Sequence, residues 1–444
     1  MSRKPFLVAL GAAAALALLP GAKTPDPQAN DTYKQLDTLM NVLEKVRTDY
    51  VDKVDDKTLI AGAINGMLAS LDPHSSYLDA RDFDQMKNLT DGEYGGLGLS
   101  VTMEDGAVKV IAPTDGTPAA RAGIKAGDYI THLNGELIYG VPLNEAVEKM
   151  RGEAGTTVKI TIVRQGQTKP IDLTLKREVI QIKAVKSEVK GNVGVIRIAS
   201  FSKNAGVDTR AAVLSIEKQL GPKLTGFILD LRSNPGGLLN EAVDVSDVFL
   251  DHGEVVSQRG RAKNDIQRFY AKLGDDARGL PVVVLVDEGS ASAAEIVAGA
   301  LQDQRRALIV GERTFGKGSV QQVIPLTADT ALRLTIARYY TPSGRSVQPE
   351  GIEPDIDVPQ LSDPDIKDRL RVHESDLRHH LINEIKLDAK TIEDDGKPEP
   401  RFATTAEALK KAGIKDFQLD YAVKTLARLA APALAPAPVV TAAR

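Results

Sequence analysis

The chain has 444 residues, 42% of them apolar and 26% charged, with a formal net charge of −4. That length is more than one ordinary core serves, and the composition is that of a folded protein with several domains. The charge balance gives no pointer to nucleic acid, and the absence of cysteine excludes disulfides, thiolate nucleophiles and cysteine-based zinc sites.

At the start, Arg3 and Lys4 precede an apolar run from Phe6 to Leu19 that leaves through Pro20-Gly21-Ala22. This is the layout of an export signal, assigned to residues 1–22. The run is shorter than the roughly 20 residues that cross a bilayer as a helix. This layout predicts an exported, periplasmic protein, membrane-anchored only if the segment stays uncleaved. Residues 23–30 are a Pro/Asp-rich linker. Over 31–88, Tyr33, Leu36, Leu39, Met40, Leu43, Val46 and Tyr50 recur at helical steps, and a second helix spans about Leu59 to Ser70. This N-terminal helical region reads as packing or homo-oligomerisation, without chemistry.

Residues 89–175 bring clustered glycines and short alternating stretches such as Val158-Lys-Ile-Thr-Ile-Val. Asn134-Gly135 marks a hairpin, and a helix is expected over Leu143 to Met150. The pattern predicts a small, partly open β-barrel. Over 176–360, strands Val193 to Phe201, Gly226 to Arg232, Val282 to Asp287 and Ala307 to Gly311 alternate with helices, which predicts a layered α/β domain. Residues 361–428 read as a charged helical extension, and 429–444 as a disordered Ala/Pro-rich tail.

Three stretches have residues suited to chemistry. Gly289-Ser-Ala-Ser-Ala-Ala-Glu leaves a buried strand and opens a helix, where a serine is either a helix cap or a nucleophile beside free N–H groups. Gly311-Glu-Arg-Thr-Phe-Gly-Lys-Gly-Ser begins like a phosphate-binding loop. It then places Gly318 where magnesium needs a hydroxyl, and a strand containing Pro325 where a helix is needed. A nucleotide site is therefore disfavoured, and the loop instead presents Lys317, usable as a base if burial lowers its pKa. Leu229-Asp-Leu-Arg-Ser-Asn-Pro-Gly-Gly carries a strand into a Pro-Gly-Gly turn with exposed N–H groups. None of the six histidines lies in a metal or triad motif.

Together with Gly95-Gly-Leu-Gly-Leu and Ala122-Gly-Ile-Lys-Ala-Gly-Asp, these stretches resemble, in order, the carboxyl-terminal processing peptidases (tail-specific proteases). The resemblance implies a multidomain α+β protein: the N-terminal helical region, a β-barrel-like PDZ domain, an α/β peptidase core of layered crotonase/ClpP-like kind, and the C-terminal extension. It implies Ser292 as nucleophile, with Ser290 its competitor, Lys317 as base 25 positions later, and Gln321 as the residue orienting that lysine. Oxyanion donors would be the N–H of Ala293 and of Gly236 or Gly237. Gly96, Leu97, Gly98 and Leu99 would accept a peptide's terminal carboxylate, and Arg151 would relay PDZ occupancy to the core. The expected function is serine endopeptidase cleavage near substrate C-termini without metal, nucleotide or other cofactor. Expected partners are proteins with unstructured C-termini and an activator or adaptor. The alternative is a non-catalytic PDZ scaffold.

Overall fold

In the computed structural model, which describes residues 27–363, 372–383, 402 and 404–430, the chain divides into two units, one up to Gly66 and one from Met67. The export segment 1–22 and the tail from 431 lie outside the described residues. The first unit holds α1 (Pro27–Asp49) and most of α2 (Asp56–Ala69). α1 begins inside the stretch read as linker, because a proline is tolerated at a first helical position, where no N–H is needed.

The second unit opens with β1 (Ser76–Leu78) and α3 (Ala80–Asp91), capped by Asp79, whose side chain accepts from Asp82 N at 2.9 Å. Next come β2 (Glu93–Gly96), β3 (Leu99–Glu104), β4 (Ala107–Pro113), α4 (Pro118–Arg121), β5 (Tyr129–Leu133), β6 (Glu136–Leu137), α5 (Leu143–Met150), β7 (Thr157–Val163), β8 (Ile171–Lys176) and β9 (Glu178–Gln181). One sheet runs β3-β4-β5-β7-β8, with β6 on β5. Along β7, Val158, Ile160 and Ile162 are buried and Thr157, Lys159 and Val163 exposed, the period of a strand with one face on a core. Ala146 and Met150 of α5, one turn apart, close that core. β2 and β9 pair as a separate ribbon that leads in and out of this domain.

The layered domain consists of β10 (Val185–Lys190), β11 (Val193–Ile198), α6 (Ala205–Leu220), β12 (Gly226–Asp230), α7 (Leu239–Phe249), β13 (Glu254–Gly260), β14 (Ile266–Tyr270), β15 (Val282–Val286), α8 (Ala293–Asp303), β16 (Ala307–Gly311), β17 (Ser319–Pro325), β18 (Ala331–Tyr340), β19 (Ile356–Asp357), α9 (Ala406–Lys411) and α10 (Phe417–Leu429). Its main sheet runs β10-β11-β12-β15-β16-β19 and is parallel apart from β10. Every residue of β12 and β15 is buried, as strands covered on both faces must be. Phe227, Leu229, Val282 and Val284 pack with residues of α6, α7 and α8. Their neighbours Ile228, Val283 and Leu285 pack with Ala422 and Leu426 of α10.

Two expectations are corrected here. The C-terminal region is no appendage: α10 is the second layer on the core sheet, and within 372–383 the only helix is the short turn Glu374–Asp376. The N-terminal region is not helical throughout, because β1 joins a second sheet of order β1-β18-β13-β14, in which β17 also pairs with β18. The loop bearing Lys317 runs directly into β17.

Candidate active site

Three loops at the ends of buried strands build the site. After β15, the chain reaches Ser292 at the N-terminus of α8 in a left-handed conformation, φ 54° and ψ −111°. Such a non-glycine backbone costs roughly 1–3 kcal/mol and has to be held by its surroundings. The holder is Glu295, whose Oε2 accepts the Ser292 N–H at 2.8 Å. Ser290 is otherwise occupied: its buried hydroxyl donates to the Leu231 carbonyl at 2.9 Å and accepts the Asp287 N–H at 3.0 Å. Geometry therefore separates the two serines that the motif alone leaves side by side.

The second loop follows β12. Asn234, fully buried, donates to the Ile198 carbonyl at 2.8 Å and accepts the Gly236 N–H at 2.9 Å, while its own carbonyl accepts the Ala291 N–H at 2.9 Å. This ties the Pro-Gly-Gly turn to the Ser292 loop. A Cβ on Gly236 would lie 2.8 Å from the Ser292 Cβ and 3.0 Å from Ala293 N, so only glycine fits. The two glycines also differ as donors. The Gly236 N–H is taken by Asn234, whereas the N–H groups of Gly237 and Ala293 have no acceptor among the described residues.

The third loop carries Lys317. Its backbone converges on the same carboxylate: Glu295 accepts from Thr314 Oγ1 at 2.5 Å, Gly316 N at 2.7 Å and Lys317 N at 2.9 Å. Glu295 is fully buried, and burial pushes its pKa up to about 7 against the pull of these four hydrogen bonds. A Cβ on Gly318 would stand 2.4 Å from Gln348 N, so the loop packs backbone to backbone there. The Lys317 side chain is half-buried and makes no hydrogen bond or ion pair among the described residues. Burial holds its ammonium below the ordinary 10.5 and the Arg333 charge adds to this, while Glu374, Glu295 and Asp72 oppose it.

Gln321 departs from expectation. Lys317 lies outside β17 and a bulge separates Val320 from Gln321, so strand alternation does not relate the two side chains. The Gln321 amide nitrogen donates to Ser319 Oγ at 2.9 Å and Thr335 Oγ1 at 3.2 Å, and no hydrogen bond joins it to Lys317. Among the described residues its amide oxygen has no donor.

In the strand-rich domain, Gly96, Leu97, Gly98 and Leu99 line a small cleft with Val101, Val147, Met150, Tyr94 and Arg151. The Leu97 and Gly98 carbonyls accept from Ala119 N and Thr114 N, and their own N–H groups have no acceptor among the described residues. Arg151, the C-cap of α5, lies over the Tyr94 ring with its guanidinium carbon 4.8 Å from the centroid.

With this geometry in place, the comparisons decide the family. A carboxy-terminal-processing protease from Bartonella bacilliformis is 50% identical over 378 residues, 85% of this chain and 87% of that protein. The chain belongs to the carboxyl-terminal processing peptidases. Residues 192–358 match peptidase family S41, 95–175 a PDZ domain, and 18–82 the N-terminal domain of the activating protease CtpB. Carboxy-terminal processing protease CtpA of Bacillus subtilis is 39% identical over 324 residues, 72% of this chain and 68% of that protein. Among solved structures, a photosystem II D1 C-terminal processing protease is 31% identical, covers 71% of this chain and 85% of its own, and has a TM-score of 0.43. The chain is thus a serine-type peptidase of the C-terminal processing kind with a PDZ domain. Glu295 closes the Gly289–Glu295 motif, where residue type alone assigns it no role. The Ser-x-x-Glu spacing of a capping box was the available signal.

Proposed function

We propose that the chain is an exported endopeptidase that captures a substrate's C-terminus in its PDZ cleft and cuts near that end by acyl-enzyme chemistry. Ser292 is the nucleophile and Lys317 the base. The observation that carries this reading is the convergence of the Ser292, Gly316 and Lys317 N–H groups on the single carboxylate of Glu295. A shared anchor of this kind fixes a nucleophile turn and a base loop relative to each other.

Neutral Lys317 takes the Ser292 hydroxyl proton as Oγ bonds to the scissile carbonyl carbon. The oxyanion that forms is stabilised by the N–H groups of Ala293 and Gly237, chosen over Gly236 because their donors are free. The intermediate collapses, the lysinium returns its proton to the departing amine, and an ester to Ser292 remains. Lys317 then deprotonates a water that attacks this ester, and Ser292 regains its proton as the new carboxyl end leaves. The free amide oxygen of Gln321 is the acceptor available to orient the lysine. The lone N–H groups of Leu97 and Gly98 suit a terminal carboxylate, with the peptide added as a strand beside β3. Arg151, between α5 and the Tyr94 ring, is the candidate relay from PDZ cleft to core. Export rests on the charged and apolar start of the chain, and an activator or adaptor and homo-oligomers remain part of the reading.

The test uses an unfolded protein substrate with an apolar C-terminus, supplied either free or amidated, with products followed by mass spectrometry. The free form is expected to be cut near its end and the amidated form at least about tenfold more slowly, through loss of the terminal charge. Equal rates would remove C-terminal capture. Binding of the free form without any cleavage would favour a scaffold.

A further inference from the structure

A second buried carboxylate lies against the lysine loop and is unused by the chemistry above. Glu374 has no exposed surface. His74 Nε2 donates to its two oxygens at 2.9 and 2.8 Å, and Gln348 Nε2 donates to Oε1 at 2.8 Å. The Glu374 N–H donates to the Phe315 carbonyl at 3.0 Å, and Gln348 Oε1 accepts the Gly318 N–H at 2.7 Å. Both sides of Lys317 are thus gripped, at Phe315 two residues before it and at Gly318 directly after. The grip is anchored in three remote segments: the bend before β1, the turn at Gln348, and the C-terminal turn at Glu374.

We propose that His74 and Gln348, both bonded to the Glu374 carboxylate between them, form with it a clamp that positions Lys317 for proton transfer. The proposal rests on the reading of Lys317 as the base. A buried carboxylate needs donors for its oxygens, and the side chains of His74 and Gln348 supply them here. A fixed anion near a buried amine has a specific use. Burial alone makes the amine neutral but a poor proton acceptor, and the anion stabilises the lysinium as it forms. The charged groups that act on Lys317 are Arg333, which opposes protonation, and Glu374, Glu295 and Asp72, which favour it. His74 sits behind Glu374 rather than among these, and the Arg333 Nε donates to the His74 carbonyl at 2.9 Å, so the cation is held by the same turn. Glu374 and His74 are positioning residues: they touch neither Ser292 nor the reacting carbonyl.

The experiment measures kcat and KM against pH for the full-length protein on an unfolded peptide with a free apolar C-terminus. Wild type is compared with Glu374→Gln, His74→Ala, His74→Gln and Lys317→Ala. Glu374→Gln keeps an acceptor and the backbone bond to Phe315 while removing the charge. The acidic limb of its kcat profile is expected to move to lower pH by about one unit. A purely structural role would lower the plateau without moving the limb. His74→Ala is expected to lose about tenfold in kcat with KM unchanged, and His74→Gln, which keeps a neutral donor, to recover most of it. If Lys317→Ala is silent while the Glu374→Gln limb stays in place and His74→Ala turns over like wild type, the clamp is overturned and the Ser–Lys reading stands. If Lys317→Ala itself retains wild-type turnover, the base assignment falls first and the clamp with it.

Discussion

The Ser292 turn and the Lys317 loop, the two halves of the proposed dyad, are held in opposite ways. Ser292 leaves a strand buried in the centre of the main sheet, and its partners are near in space because neighbouring parallel strands end together: Asn234 from the loop after β12, Ala291 beside it, Glu295 one turn on. Lys317 enters an edge region where the second sheet begins, and its loop is fixed by Gln348, Glu374 and, through Glu374, His74. One half is made by the regular end of an α/β layer, where helix N-termini and strand ends supply donors to any fold of this class. The other is assembled from contacts between distant segments, which makes it the half open to adjustment. Glu295 is the bridge between them.

Among changes that leave Ser292 and Lys317 themselves in place, breaking the bridge is expected to have the largest effect. Glu295→Gln keeps the volume but halves the acceptors, so the nucleophile turn and the base loop lose their common reference. A fall of about 10²-fold in kcat with little change in KM is expected from steady-state kinetics. The same variant carries a stability signature. The folded-state pKa of Glu295, about 7, exceeds its ordinary 4.5. The native protein therefore binds more protons between those values, and this group's contribution is full below 4.5 and lost as pH rises through 7. Denaturant melts at pH 5 and pH 8 should differ less for Glu295→Gln than for wild type.

Disturbing the nucleophile side alone should cost less. Asn234→Ala leaves the Gly236 N–H and the Ile198 carbonyl without their side-chain partner, and a loss of about 2 kcal/mol is expected in urea unfolding. Its kcat should fall about tenfold through the displaced Gly237 donor. The smallest effect concerns the base side. Burial depresses the Lys317 pKa below 10.5, so the unfolded chain binds more protons than the native one between those two values. Stability from this group is recovered only as pH rises toward 10.5. Lys317→Met should melt about 2 °C higher than wild type at pH 7, with the gap closing at alkaline pH.

The legibility of the chain follows the same division. The α5 limits, Leu143 to Met150, and the strand from Ala307 to Gly311 agree with the structure, because each is a local run with one dominant period. Ser292, Lys317 and the Pro-Gly-Gly turn could be picked out because each belongs to a short, locally written stretch. Strand parity does not relate Gln321 to Lys317, because Lys317 precedes β17 and a bulge intervenes. The pairing of His74 with Glu374 is not legible in the sequence, because 300 positions separate them and neither sits in a local pattern. The sequence marks α10 only as part of a helical extension, because its contact with β12 and β15 exists only once the sheet does.

The central claim is that Ser292 and Lys317 act together, and cleavage of one unfolded substrate by wild type, Ser292→Ala and Lys317→Ala, scored by mass spectrometry on folded preparations of each, tests it most directly. Wild type alone should cut, both variants should fall by at least about 10³-fold, and both should still bind the substrate's C-terminus. Turnover by Ser292→Ala near the wild-type rate would contradict the account at its root.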